Sequence, residues 1–205
     1  NYYQSLDYKN NKLSLFICGA RPEYEYISSQ FHFPKGYVAY TGFARFDWLH
    51  NTKPNKNTIL IMPTWRYWFK YSDIDKEGNI PFIQTEYFLK FSSFINNRRL
   101  INYIEENNLT IFFYLHRSMQ RYTNNFKSIS SNVKILERFD RNIQELLQTG
   151  AMMVTDYSSI SVDFAYMEKP VIYYQFDQKK FREEHGQPAY FSYEENGFGP
   201  VLTKE

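Results

Sequence analysis

The sequence predicts an α/β fold, a Rossmann-like parallel sheet with helices on both faces. Three observations carry this. Strand candidates alternate with helix candidates along most of the chain. Most of those strands are continuously apolar rather than alternating, as strands buried on both faces must be. Polar residues gather directly after the strand ends, where open parallel sheets bind ligands.

The elements follow in order. Leu13 to Cys18 is a short apolar strand, Tyr24 to Phe31 a short helix, and Tyr37 to Tyr40 a second strand ending at Thr41-Gly42. Residues 51–57 (Asn-Thr-Lys-Pro-Asn-Lys-Asn) are polar and turn-rich, which marks a linker and a domain boundary. Thr58 to Met62 is a buried strand leading into Pro63-Thr64-Trp65-Arg66. Residues 70–81 read as an exposed loop. Glu86 to Asn107 is helical, with Tyr87, Phe91, Phe94, Ile95, Ile101 and Ile104 on one side and Asn96-Asn97 as the point where it would break.

Thr110 to Leu115 is the next buried strand, ending in His116-Arg117, and Val133 to Leu136 is another. Asp140 to Thr149 reads as a helix, with Asp140 as its cap and Gly150 as its stop. The run Ala151 to Val154 leads through Thr155-Asp156-Tyr157-Ser158-Ser159 into a helix from about 159 to 168, with Ile160, Phe164 and Met167 along one face. Lys169-Pro170 closes it, and Val171 to Phe176 is the last clear strand.

Composition narrows the function classes. The chain has 205 residues, 43% of them apolar, which is enough for a real core. A net charge of +2 gives no strong field, so nucleic acid is not an expected partner. The lone Cys18 rules out an intramolecular disulfide and fits a reducing compartment. No apolar run approaches the roughly 18 residues of a membrane span. These features read as a soluble, cytoplasmic protein, with peripheral contact at the inner face of the membrane left open. His32, His50, His116, His185 and Cys18 show no metal-ligand spacing, so no metal and no cofactor is expected.

The candidate site lies on one sheet edge. Four strand ends deliver Thr64 and Arg66, then His116 and Arg117, then Asp156, Ser158 and Ser159, then Asp177. A helix start with two hydroxyls favours a phosphate or pyrophosphate; equally, Asp156 or a serine there reads as an ordinary N-cap. Arg66 could fork onto a phosphate or form a surface ion pair. His116 could hold a diphosphate oxygen, move a proton, or be structural. Trp65 reads as packing or as a stacking platform. The basic run Lys179-Lys180 with Arg182 reads as a solvated face or as a surface for an anionic acceptor.

Several segments are similar to one family. Met153 to Ala165 (Met-Val-Thr-Asp-Tyr-Ser-Ser-Ile-Ser-Val-Asp-Phe-Ala), with Lys169 to Tyr174 and Phe176-Asp177, resembles the CDP-glycerol glycerophosphotransferase family of teichoic-acid polymerases and primases. Ile61 to Arg66, Tyr114-Leu115-His116, Thr41 to Asp47 and Glu194 to Val201 resemble further segments of that family, in the right order. The resemblance implies the donor-binding half of a GT-B architecture. It implies transfer of glycerol phosphate, or a related polyol phosphate, from a CDP-activated donor such as CDP-glycerol to a hydroxyl of a lipid-linked cell-surface polymer. Carried over, it implies that Arg66, His116, Ser158 and Ser159 handle the donor's pyrophosphate region, with Arg66 and His116 in the chemistry, and that Asp156 helps shape the pocket; Thr64 and Asp177 join the expected donor site by their place on the same sheet edge.

The chain departs from the pattern at His116-Arg117, where the family has His-Pro, and at Ala44, where it has Pro. The family's other catalytic histidine, the expected base, has no clear counterpart. The expectation is therefore residues 1–50 as the tail of an acceptor-side domain with its linker, and 51–205 as the donor-binding domain. A nucleotide-sugar glycosyltransferase or epimerase of GT-B type, and a donor-binding half inactive without a partner, are the alternative readings.

Overall fold

The computed structural model describes residues 5–51, 54–71, 81–185 and 190–204. The chain divides into two compact units, one running through Trp48 with the short segment Tyr190–Phe191, the other formed by the rest.

The first unit is a βαβ element. Strands β1 (Phe16–Cys18) and β2 (Val38–Tyr40) pair in parallel, Phe16 opposite Val38 and Cys18 opposite Tyr40. Helix α1 (Arg21–Gln30) connects them, starting at a proline in its first turn where the missing N–H costs nothing. Cys18, Ile27, Phe31, Phe33 and Val38 form its core.

The second unit holds a sheet of six parallel strands. Strands β3 (Thr58–Ile61), β4 (Thr110–Tyr114), β5 (Val133–Leu136), β6 (Met152–Thr155), β7 (Val171–Tyr174) and β8 (Val201–Leu202) lie in the order β5-β4-β3-β6-β7-β8. The order reverses between β3 and β6, which opens a crevice at their carboxyl ends. The fold class is the expected α/β one. Strand β3 is buried along its whole length, and its residues alternate between faces. Ile59 and Ile61 join Ile111, Phe113, Val154 and Tyr174 under Tyr87, Phe91, Ile95 and Ile104 of the helices α3 (Glu86–Ile95) and α4 (Arg98–Glu106). Leu60 points the other way, toward the C-terminal end of α5 (Ile143–Thr149). There a side chain on Gly150 would come within 2.7 Å of Leu60. Many of the aromatics join the core; Phe82 stacks on the buried Tyr122 with centroids 3.9 Å apart.

Most differences from the sequence reading have local causes. The long helix is two helices, because Asn97 Oδ1 accepts the N–H groups of Arg99 and Leu100 and so caps a new start. Asn96 donates to the carbonyls of Ser92 and Lys127 and accepts from Ile129 N–H, which turns the chain. Helix α5 begins at Ile143, capped by Asn142, whose Oδ1 accepts Gln144 N–H at 2.8 Å. Asp140 instead accepts Glu137 N–H, three residues upstream, so it closes the loop after β5 and caps no helix. A short helix, α2 (Trp68–Tyr71), follows the Pro-Thr-Trp-Arg segment; most of the loop expected over 70–81 lies outside the described residues. Helix α6 (Ile160–Tyr166) is shorter than expected. Helices α7 (Gln178–Glu184) and α8 (Tyr193–Asn196) and strand β8 complete the unit. Lys169 donates to the carbonyls of Leu147 and Gln148 at 2.7 and 2.8 Å, closing the C-terminal end of α5. Gly199 is needed because a side chain there would meet the Val171 carbonyl oxygen, which β8 must pass closely.

Candidate functional site

The segments after β3 and β6 flank the crevice, and side chains tie them together. Thr155 Oγ1 donates to the Met62 carbonyl at 2.6 Å. Asp156 Oδ1 accepts Thr64 N–H at 2.8 Å and Tyr157 N–H at 2.7 Å. The carboxylate at the exit of β6 therefore holds the loop after β3 in place. Gln175, at the end of β7, donates to the Asp156 carbonyl at 2.7 Å.

Arg66 is fully buried at the bottom of this crevice. Its Nε and Nη2 donate to Asp177 at 2.7 and 3.1 Å, and its Nη1 donates to the Thr64 carbonyl at 2.7 Å. Asp156 Oδ2 stands 2.8 Å from Nη1 as a charge contact; outside hydrogen-bond geometry, it has no hydrogen bond among the described residues. Tyr157 Oη donates to Asp177 at 3.1 Å, and the rings of Tyr87, Tyr157 and Phe181 lie 5.1–5.2 Å from the guanidinium. Burial and the Asp177 carboxylate push the Tyr157 phenol well above its usual range. Of the two readings of Arg66, the structure shows the ion pair, buried rather than at the surface, with Asp156 and Asp177 turned inward to it. A guanidinium removed from water needs carboxylate partners, and the neighbouring strand ends supply both.

The rim is different. His116 is exposed at the end of β4, Ser159 is exposed, and Ser158 is half-buried. His116 Nδ1 accepts Ser118 N–H at 3.2 Å, which places the proton of the neutral ring on Nε2. His116 reaches solvent at its rim-facing side, yet the packing around the ring, then Arg117, hold this imidazole below its ordinary pKa, against an opposing pull from Asp156. Ser158 Oγ accepts Ile160 N–H at 3.4 Å, and Ser159 makes no side-chain cap bond to α6. Neither serine is a strong N-cap, so the capping alternative does not account for them. Thr64 is buried, and its hydroxyl has no partner among the described residues.

One residue of the rim has no sequence signal. His185, at the C-terminal end of α7, returns to the edge and accepts Tyr67 N–H on Nδ1 at 2.8 Å. Trp65, half-buried, lies between the two histidines, with its ring 4.8 Å from His185 and 6.2 Å from His116. It packs against the core and also lines the rim. The basic run sits on α7, where Lys180 covers the Trp68 ring and Arg182 pairs with Glu194 at 2.6 Å. Among the described residues, no group of three His, Cys, Asp or Glu is placed to hold a metal ion, and no helix is long and apolar enough to cross a membrane.

Comparison with known proteins places these features. The minor teichoic acid biosynthesis protein GgaB of Bacillus subtilis (strain 168) is 33% identical over 198 residues, which are 94% of this chain and 21% of GgaB. A teichoic acid poly(glycerol phosphate) polymerase of Bacillus spizizenii is 26% identical over 196 residues, 87% of this chain and 44% of the relative. A solved structure of the wall teichoic acid polymerase TagF superposes with a TM-score of 0.61 at 20% identity, over 99% of this chain and 47% of TagF, and so shares its fold. The chain thus spans between about a fifth and about half the length of these proteins. A sequence profile covers residues 2–205, and by that match the chain belongs to the CDP-glycerol:poly(glycerophosphate) glycerophosphotransferase family.

Proposed function

We propose that this chain is the donor-binding part of an enzyme that transfers glycerol phosphate, or a related polyol phosphate, from a CDP-activated donor to a hydroxyl of a lipid-linked cell-surface polymer. The observation that carries the reading is the set of rim donors at the switch point of the sheet, in a chain that matches this family from end to end. In the reaction the acceptor hydroxyl oxygen attacks the polyol-bearing phosphorus. The bond from that phosphorus to the bridging oxygen breaks, CMP leaves with that oxygen, and a base takes up the hydroxyl proton. Donors aimed at the diphosphate stabilise the charge that develops on CMP.

His116, with its remaining proton on Nε2, donates to a diphosphate oxygen and acts as a ligand or acid rather than as the base. Ser158 and Ser159 offer hydroxyl donors beside it, and Thr64 lines the crevice between them. Arg66, Asp156 and Asp177 act as positioning residues: they hold the loops after β3, β6 and β7 in one arrangement. The partners are a CDP-polyol and a lipid-linked polymer, met at the inner face of the membrane through peripheral contact.

Calorimetric titration with CDP-glycerol, CDP-ribitol, CMP and UDP-N-acetylglucosamine tests the reading. Cytidine-selective binding, weakened in His116→Ala, supports it. Selective binding of the UDP-sugar overturns it.

A further inference from the structure

The proposed transfer leaves His185 without a role, yet this side chain is one of the best-held groups on the rim. Its Nδ1 accepts Tyr67 N–H at 2.8 Å. Its ring stacks on Phe181 with centroids 4.4 Å apart and planes 18° apart, and meets Trp65 at 4.8 Å and 67°. Trp65 in turn lies nearly parallel to the His116 ring, at 25° and 6.2 Å. Rings from α7 and its C-terminal end (Phe181 and His185) and from the segments after β3 (Trp65) and β4 (His116) therefore form one row, with Trp65 between the two histidines.

We propose that His185 is a positioning residue for His116, acting through Trp65 to set the plane of the His116 ring. The proposal rests on the reading of His116 as a donor to the diphosphate. Two contacts are needed. The Tyr67 bond anchors the loop that carries Trp65, and the ring contact keeps the indole turned toward His116. Both contacts restrict the indole to one orientation.

The Tyr67 bond requires an unprotonated Nδ1. Arg66 from the segment after β3, His116 from β4, Asp156 from β6 and Asp177 from β7 all bear on His185. Burial, then Arg66, favours the neutral ring; the two carboxylates oppose them, and the result is a value pushed down to about 4. His116 feels Arg117 and Asp156 as well as burial. His185 therefore stays an acceptor at neutral pH, and its influence on His116 is steric and dielectric.

The test is imidazole NMR on the 15N-labelled 205-residue chain, comparing His185→Ala, His185→Asn and His185→Phe with the parent. Asn keeps an acceptor for Tyr67 without the ring; Phe keeps the ring without the acceptor. In His185→Ala, the cover that Trp65 gives His116 loosens, and the His116 titration midpoint should rise toward its ordinary value. The preference for the Nε2–H form should weaken, and CDP-glycerol affinity should fall roughly tenfold, or 1.4 kcal/mol. His185→Phe should keep the His116 signature better than His185→Asn. If His116 titrates in folded His185→Ala as in the parent, the proposal is wrong. If His185→Ala does not fold, an unchanged His116 in both other variants overturns it equally. Should the parent fail to bind CDP-glycerol while His116 still responds to His185, the positioning role stands and the proposed function falls.

Discussion

The floor and the rim of the crevice lie at the same edge of one sheet, yet they work in opposite ways. The floor, built from Arg66, Asp156, Asp177, Tyr157 and Gln175, is buried and mutually bonded. The rim, built from Trp65, His116, Ser158, Ser159 and His185, is partly or fully open. One arginine against two aspartates gives the floor a formal charge of −1, an unsuitable bed for a diphosphate. A charged residue at a strand end is therefore not by itself a ligand contact. At this edge, the groups that carry full charge organise the loops, and the neutral donors of the rim are the ones that stay open to solvent.

The sharpest test of this contrast is Arg66→Ala. It leaves two buried carboxylates without their cation, and breaking such a set costs about 3–5 kcal/mol. Chemical denaturation should show that loss. A variant that folds as stably as the parent and loses only donor affinity would move Arg66 to the binding surface and erase the distinction.

Ser158→Ala should show the reverse pattern. Its stability should stay within about 0.5 kcal/mol of the parent, while CDP-glycerol binds about tenfold more weakly by calorimetry, a loss of about 1.4 kcal/mol. Tyr157→Phe removes the hydroxyl that donates to Asp177. It should cost about 1 kcal/mol of stability and leave donor affinity unchanged if the buried Tyr157–Asp177 bond serves only to hold the loops.

A further expected effect is a pH dependence from His185. Its value is about 4 in the folded chain, against roughly 6.5 when unfolded. Between these values the unfolded state binds more protons, so stability rises with pH across that window. It should fall as pH drops from about 6.5 toward about 4, and the slope should flatten in His185→Phe. An unchanged slope would mean that the ring is no more protected than an exposed histidine.

Much of the architecture was legible because it depends on neighbours in the chain. Continuous apolar runs such as Thr58–Ile61 and Met152–Thr155 require a sheet buried on both faces, and both are central strands. The convergence of Thr64, His116, Asp156 and Ser158 on one edge followed from the same reasoning. Competing local chemistry limited the finer detail. Asp140 and Asn142 are both good caps, and only the turn closed by Glu137 N–H decides between them. Strand β8 was missed because two residues carry no periodicity.

What the sequence determined by itself was the alternation of elements, the gathering of polar residues at one sheet edge, and the residues that mark the family. Only the tertiary structure decided which polar groups turn inward. Thr64 meets Asp156 across 92 positions, Arg66 meets Asp177 across 111, and Tyr67 meets His185 across 118. Whether an arginine faces water or a carboxylate depends on what the returning strands place beside it, because desolvating a charge is tolerable only where a partner is already in position. No local pattern carries that information.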